Sequence, residues 1–247
     1  MKMNKNQNFS TRKRAGFRNA FRAVIACLLL STLPAMGQDW PDLQRFQEAN
    51  DSLPPPDSDR PRVVFMGNSI TIGWINSVPE FFEGKPYVNR GISGQTTPQM
   101  LLRFRQDVID LQPKVVVILA GTNDIAGNTG PMSLEEIMGN IKSMAELARA
   151  NGIEPVLSSV LPAFDYPWRP GKEPNVKIPA LNEMIEAYAR EKDLVYLDYF
   201  RAMADERNGL DKTLATDEVH PTRKGYEMMA PLAEAAIAKA LAKQRSK

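Results

Sequence analysis

Three residues of this chain have the types and spacing needed for nucleophilic catalysis: Ser69, Asp217 and His220. Ser69 follows an apolar run in the stretch VVFMGNSITIGW, residues 63–74. A serine hydroxyl is hardly ionised at neutral pH, so it needs a neighbouring base before it can attack a carbonyl carbon. The chain has one histidine, His220, which makes it the candidate base. Asp217 precedes it by three residues and could orient the ring and select its tautomer.

Such an attack also requires hydrogen-bond donors that stabilise the negative oxygen of the tetrahedral intermediate. The candidate donors are the backbone N–H groups of Ser69 and Gly94 and the side-chain amide of Asn123. Gly94 lies in the segment SGQ and Asn123 in the segment GTND. A zinc site would need histidine and cysteine ligands that this chain lacks, since it has one of each. The predicted chemistry requires no metal and no cofactor.

Each candidate residue also has a purely structural interpretation. A serine after a strand can be a turn residue or a helix cap, and GNSITIG also resembles a hydroxyl-rich phosphate-binding loop. Gly94 could serve a turn that needs a positive φ angle. Asn123 could form an Asx turn, and Asp217 could cap a loop. Taken one at a time, these residues leave the alternatives open.

The elements that must position these residues alternate between strands and helices. Apolar strands are predicted at residues 62–66, 87–89, 115–120, 154–162 and 194–200. VVVILA has no polar alternation, which indicates a strand buried on both faces of a parallel sheet. The pattern predicts an α/β fold, a three-layer α/β/α sandwich with a flavodoxin-like five-stranded parallel sheet in the order 2-1-3-4-5. The segments that hold the candidate residues would then meet at one edge of the sheet.

The helices of the predicted fold begin with recognisable caps. Thr97 is a predicted N-cap with Pro98 at the first helical position. Ser133 and Glu136 form the pattern of a capping box. A short helix is predicted in WPDLQRFQEAN, near the start of the fold, and a long one at the C-terminus.

The order Gly-x-Ser, Gly, Gly-x-Asn-Asp and Asp-x-x-His resembles the SGNH hydrolases, also called GDSL esterases and lipases. The resemblance covers roughly residues 62–235 and implies the same flavodoxin-like fold. It implies Ser69 as nucleophile, His220 as base and Asp217 as its orienting acid. It also implies that Gly94 and Asn123 join Ser69 in the oxyanion hole. The triplet usually written Gly-Asp-Ser is Gly-Asn-Ser here, so Asn68 keeps a hydrogen-bonding side chain without the charge.

The first 37 residues predict a secretory signal peptide that is cleaved after about Gly37. This leader has seven basic and no acidic residues, followed by an apolar run at 23–33 and the small residues Ala35 and Gly37. That run is shorter than the roughly 20 residues that span a bilayer, so no stable membrane insertion is expected. A retained anchor, or lipidation at Cys27, is the alternative. The expected location is secreted or periplasmic.

Without this leader the chain has 24 basic residues against 29 acidic ones. This balance argues against nucleic-acid binding. Residues 38–61 are predicted to be an N-terminal extension with a Pro-rich spacer, and residues 62–247 the catalytic domain. The sequence predicts no particular oligomeric state.

The substrate class is indicated only by the loop at residues 163–178. Its aromatic residues, among them Tyr166 and Trp168, could stack on sugar rings or could pack the loop onto the body. With Asn68 they are the candidate substrate contacts. We therefore predict a secreted esterase that acts on a small-molecule or glycan ester, with acetylated sugars favoured. A lysophospholipase, an arylesterase, an acyltransferase and a non-catalytic carbohydrate-binding protein remain alternatives.

Overall fold

The computed structural model describes residues 38–245, and its sheet has five strands. The strands are β1 Val63–Gly67, β2 Tyr87–Gly91, β3 Val115–Leu119, β4 Glu154–Ser158 and β5 Val195–Leu197. The α-helices are α1 Gln47–Asp51, α2 Ser69–Ser77, α3 Thr97–Asp107, α4 Thr122–Ile125, α5 Leu134–Ala150, α6 Pro174–Glu191, α7 Phe200–Met203 and α8 Arg223–Arg245. Short 3₁₀ turns lie at Pro79–Phe81 and Ile109–Leu111.

The sheet is parallel throughout and has the order β2-β1-β3-β4-β5, which confirms the predicted topology. All five residues of β1, of β3 and of β4 are buried, as expected for strands covered on both faces. The register pairs Gly67 with both Gly91 and Leu119, so the first three strands end level with one another. The loops that follow these strands therefore start from one edge of the sheet.

An aromatic cluster holds α2 against β1. Phe65 of β1 contacts four aromatic rings, with centroid separations of 5.4–5.8 Å. Trp74 of α2 stacks on Phe81 at 4.4 Å and on Tyr226 of α8 at 5.8 Å. Aromatic pairs in such geometries contribute about 0.5–1.5 kcal/mol each beyond the area that they bury. The cluster thereby fixes the helix whose first residue is Ser69.

The predicted caps agree with the structure at one helix and differ at another. Ser133 and Glu136 form the expected capping box at the start of α5. The N-cap of α3 is Thr96, one residue before the predicted Thr97, because Gln99 stands three residues after Thr96 and closes a second capping box. The Thr97 hydroxyl instead donates to Asp124 at 2.6 Å.

The predicted signal peptide, residues 1–37, lies outside the described part of the chain, and so does the lipidation alternative at Cys27. Among residues 38–245, no helix is long and apolar enough to cross a lipid bilayer. The division at residue 62 into an extension and a catalytic domain stays a prediction. The helix predicted within residues 40–50 is shorter and later than expected, since α1 covers Gln47–Asp51 and the preceding residues form turns.

Gly91, the last residue of β2, lies close against the start of α2. A Cβ atom at this position would lie 2.3 Å from the backbone nitrogen of Ile72 and 2.8 Å from the carbonyl oxygen of Asn68. Both neighbours are backbone atoms, so neither can move away without shifting the helix. Gly139, in the middle of α5, is exposed, and a Cβ there would have no neighbour within 4 Å.

We expect Gly91→Ala to lower the free energy of unfolding by about 1–3 kcal/mol, because the added methyl overpacks the contact between β2 and α2. Gly139→Ala is the matched control. It should raise stability by up to about 1 kcal/mol, since alanine favours a helix interior. Urea denaturation of both variants measures the difference. A Gly91→Ala protein as stable as the parent would contradict the close approach.

Candidate active site

Ser69 is the first residue of α2, directly after the end of β1. Asn68 precedes it as the N-cap, and its side-chain oxygen accepts a hydrogen bond of 3.0 Å from the backbone N–H of Ile70. Asn68 is 1% exposed. Its side-chain oxygen is thus engaged in the cap, and its role as a substrate contact stays a prediction. Asparagine and aspartate both serve as N-caps, which accounts for asparagine at this position.

The three residues proposed for nucleophilic chemistry lie in one chain of hydrogen bonds. The Oγ atom of Ser69 is 2.9 Å from Nε2 of His220. The Nδ1 atom of the same ring is 2.9 Å from Oδ2 of Asp217. With a proton on Nδ1, this geometry leaves Nε2 free to accept the proton of the serine. The arrangement can thus raise the nucleophilicity of Ser69.

Local hydrogen bonds between side chains and backbone hold the loop that carries His220. Oδ1 of Asp217 accepts from the backbone N–H groups of Val219 and His220, at 2.8 and 2.7 Å. The carbonyl oxygen of His220 accepts in turn from Thr216. Burial raises the pKa of Asp217, but the bonds from His220 and Val219 outweigh it, so the pKa lies below its usual value. The carboxylate consequently keeps its charge until the pH falls through that lowered pKa.

The predicted oxyanion donors lie on the two neighbouring loops. Gly94 follows β2 with φ of +78°, a conformation that favours glycine. No described residue accepts a hydrogen bond from the backbone N–H of Ser69 or of Gly94. Asn123, 3% exposed in α4, donates from Nδ2 to the carbonyl oxygen of Gln95 at 2.9 Å. This bond orients the amide and leaves its second hydrogen for another acceptor.

The aromatic loop divides into a buried and an exposed part. Tyr166 is 0% exposed, and its hydroxyl lies 2.9 Å from that of Thr122, so its predicted role as a substrate contact is wrong. The ring serves instead to pack the loop onto the body. Trp168 is 42% exposed, and its ring centroid lies 6.3 Å from that of His220. It stays a candidate substrate contact.

Arg103, which the sequence reading did not select, lies directly behind the predicted oxyanion loop. The side chain is fully buried on α3. Its Nη2 donates to the carbonyl oxygens of Gly67 at 3.1 Å and of Arg90 at 2.9 Å. Its Nε donates to Oε1 of Gln95 at 2.6 Å, and its Nη1 pairs with Asp107 at 3.0 Å. One guanidinium thus joins the ends of β1 and β2 to the loop that contains Gly94.

The N-terminal extension completes this network. Nδ2 of Asn50 donates to Oδ1 of Asp107 at 2.9 Å, and Nε of Arg90 donates to Oδ1 of Asn50 at 2.9 Å. The ring of Phe46 lies 4.7 Å from the Arg90 guanidinium. Burial lowers the pKa of Arg103, and the Asp107 carboxylate opposes that shift. One signal for Arg103 was available in the sequence. It is a basic residue among the apolar positions of a predicted helix, four residues before an aspartate.

A parallel α/β/α sandwich with a serine, a histidine and an aspartate joined beyond its strand ends is an arrangement that can catalyse acyl transfer. The chain belongs to the GDSL-like lipase/acylhydrolase family, whose sequence model matches residues 65–228. This membership confirms the resemblance to the SGNH hydrolases and places the chain among carboxylic ester hydrolases.

Similar proteins agree with this family. The crystal structure of a GDSL-like lipase from Bacteroides thetaiotaomicron is 48% identical, covers 81% of this chain and 98% of its own, and superposes with a TM-score of 0.79. The uncharacterised lipoprotein YqeF of Bacillus subtilis is 35% identical over 96 residues, 37% of this chain. An acetylxylan esterase of Xylanibacter ruminicola is 26% identical over 225 residues, 75% of this chain. The matches span 40% and 45% of the lengths of the last two proteins.

We expect Arg103→Met to lower the free energy of unfolding by about 3–5 kcal/mol, because it leaves the Asp107 carboxylate buried without its partner. Arg103→Lys keeps a cation but loses the planar fork that reaches four acceptors. That variant should recover part of the stability and still hydrolyse a small ester with lower kcat, since the Gly94 loop is less firmly held. Denaturation and steady-state kinetics measure the two effects.

Arg105→Met is the control for this prediction, since the Arg105 side chain is 65% exposed on the same helix. Its stability and kcat should match those of the parent protein. A normal kcat in folded Arg103→Lys would contradict the link between Arg103 and the reaction site.

Proposed function

We propose that this chain is a secreted serine esterase that removes short acyl groups, chiefly acetyl, from carbohydrate. The observation that carries the proposal is the continuous hydrogen-bond chain from Ser69 through His220 to Asp217. It ends at a serine that opens a helix beyond the end of a central strand. A base in contact with the hydroxyl and an acid in contact with the base are what a serine nucleophile requires.

In the first half of the proposed reaction, Oγ of Ser69 attacks the carbonyl carbon of the ester. The hydroxyl proton passes to Nε2 of His220, and Asp217 stabilises the imidazolium that results. The carbonyl oxygen becomes an oxyanion and accepts hydrogen bonds from the backbone N–H groups of Ser69 and Gly94 and from Asn123. When the C–O bond breaks, His220 returns its proton to the departing alcohol, and the acyl group stays on Ser69.

The second half repeats these steps with water. His220 removes a proton from the water molecule, whose oxygen attacks the acyl carbon. The same donors stabilise the second oxyanion, and the proton goes back to Oγ of Ser69 as the carboxylic acid leaves. No cofactor takes part in any step. An acyltransferase would use the same acyl-enzyme with a different alcohol in place of water.

The proposal of an acetylated carbohydrate rests on two supports. Trp168 offers an exposed ring whose centroid lies 6.3 Å from that of His220, the residue proposed to protonate the departing alcohol. A relative of this chain is named as an acetylxylan esterase. Export is proposed from the leader-like first 37 residues, and a relative named as a lipoprotein supports a location at or beyond the cell envelope.

Substitution of the three central residues tests the mechanism. We expect Ser69→Ala and His220→Ala each to reduce kcat on p-nitrophenyl acetate by about 10⁴-fold or more, because each removes a group that acts as part of one unit. Asn123→Ala should cost about 10²–10³-fold, the usual effect of one oxyanion donor. A fluorophosphonate probe should label the parent protein and fail to label Ser69→Ala.

The control is Ser77→Ala, which changes the other serine of α2, at the opposite end of the helix. It should keep the parent rate and label normally. Near-normal turnover by folded Ser69→Ala would overturn the mechanism. A folded parent protein that neither labels nor turns over esters would instead favour a carbohydrate-binding protein.

The length of the acyl group is tested with p-nitrophenyl esters from acetate to palmitate. We expect the highest kcat/KM for acyl groups of two to four carbons. The reason is that the side chains in contact with Ser69 and His220 are polar or aromatic, whereas a long acyl chain is favoured only where it buries apolar surface. A preference for eight carbons or more would point to a lysophospholipase and would refute the acetylesterase proposal.

A further inference from the structure

A cleft of about 360 Å³ lies beside Gly94, which is one of its lining residues. It is lined by Trp40 and Asp42 of the N-terminal extension and by Gly94, Gln99 and Asn128 of the main fold. The volume is near the lower end of the range of about 300–1,000 Å³ that is usual for small-ligand pockets. Gly94 is a predicted oxyanion donor, and the sequence predicts no role for the other four residues.

The backbone around Trp40, which lines the cleft, is held in place by specific hydrogen bonds. Nε2 of Gln99 donates to the carbonyl oxygen of Trp40 at 2.7 Å, and Nε2 of Gln95 donates to that of Pro41 at 2.7 Å. The side chain of Asp39 accepts from the backbone N–H of Leu43 at 2.8 Å. These bonds fix the backbone, while the Trp40 side chain remains 41% exposed. An exposed indole on a fixed backbone is a ready surface for a ligand.

Asn128 connects this cleft to the reaction site. Its Nδ2 donates to the carbonyl oxygen of Gly94 at 3.1 Å, and its Oδ1 accepts from Nε1 of Trp168 at 3.4 Å. The Trp168 ring, in turn, lies near His220. The exposed Trp168 indole is thus bonded to an asparagine that lines the same cleft as the exposed Trp40 indole and contacts the loop of the candidate oxyanion hole.

We propose that the cleft binds a neutral sugar ring in the alcohol part of the substrate, with Trp40 as its stacking platform. The inference rests on the proposed function, and it assigns the substrate class to specific residues. An indole face suits the apolar face of a sugar, and the Asp42 carboxylate and the Asn128 and Gln99 amides suit its hydroxyl groups. The Asp42 carboxylate would repel an anionic substrate. Because these groups are polar, an acyl chain would gain little from burial in the cleft.

The test compares a short acetylated xylo-oligosaccharide with p-nitrophenyl acetate, which lacks a sugar. In Trp40→Ala, kcat/KM for the oligosaccharide should fall by at least about tenfold more than kcat/KM for p-nitrophenyl acetate, because only the sugar reaches the indole. Trp40→Phe should restore part of the loss, since a ring is retained. Leu43→Ala, another exposed apolar residue of the same extension, is the control and should change neither value.

Equal losses on both substrates would overturn the proposal, because Trp40 would then act on the reaction site and not on the sugar. No loss on either substrate would also overturn it. A parent protein that fails to deacetylate the oligosaccharide would refute the proposed substrate. In that event the cleft is tested by titrating the deacetylated oligosaccharide into Ser69→Ala and following chemical shifts. Binding that Trp40→Ala abolishes would support the cleft, and no binding would refute it.

Discussion

The candidate reaction site depends on one buried cation. The Arg103 guanidinium donates to the ends of β1 and β2, to the side chain of Gln95 and to Asp107, and none of it is exposed. A buried charge is costly unless it is paired and its hydrogen bonds are satisfied. Here those bonds are made to the backbone that carries Ser69 and Gly94. The cost of burying the charge is therefore offset by contacts that fix where the two loops begin.

The rest of the site divides into one half that is held against the sheet and another that is more exposed. Ser69 and Asn123 lie on segments that follow strand ends at one edge of the sheet. The ring of Trp74 packs α2 against Phe65 of β1. His220 lies on a more exposed loop whose bonds are mostly local, to Asp217 and Thr216. A hydrogen bond of 2.9 Å from Ser69 to His220 joins the halves. The N-terminal extension contacts the main fold where Asn50 donates to Asp107 and where the carbonyl oxygen of Pro41 accepts from Gln95.

Much of the fold could be predicted because its signals are local. β1 and β3 are unbroken apolar runs, which predicts strands buried on both faces, and the alternation with helices predicts a parallel sheet. The capping box at Ser133 was visible from four residues. The predictions that failed concern residues whose role depends on distant partners. Tyr166 could have stacked on a sugar or packed its loop onto the body, and it does the latter, buried with its hydroxyl against Thr122.

By itself, the sequence predicted the strand order and the family and proposed the chemically active residues, because apolar patterning and four short motifs carry that information. Only the tertiary structure decided how they are held. It assigned Asn68 to a helix cap, and it placed Arg103 behind the Gly94 loop and Trp40 beside that loop. Each of these roles arises from contacts that tertiary folding brings together, for example 36 residues apart for Arg103 and Gly67. Side-chain type and local spacing do not encode such contacts.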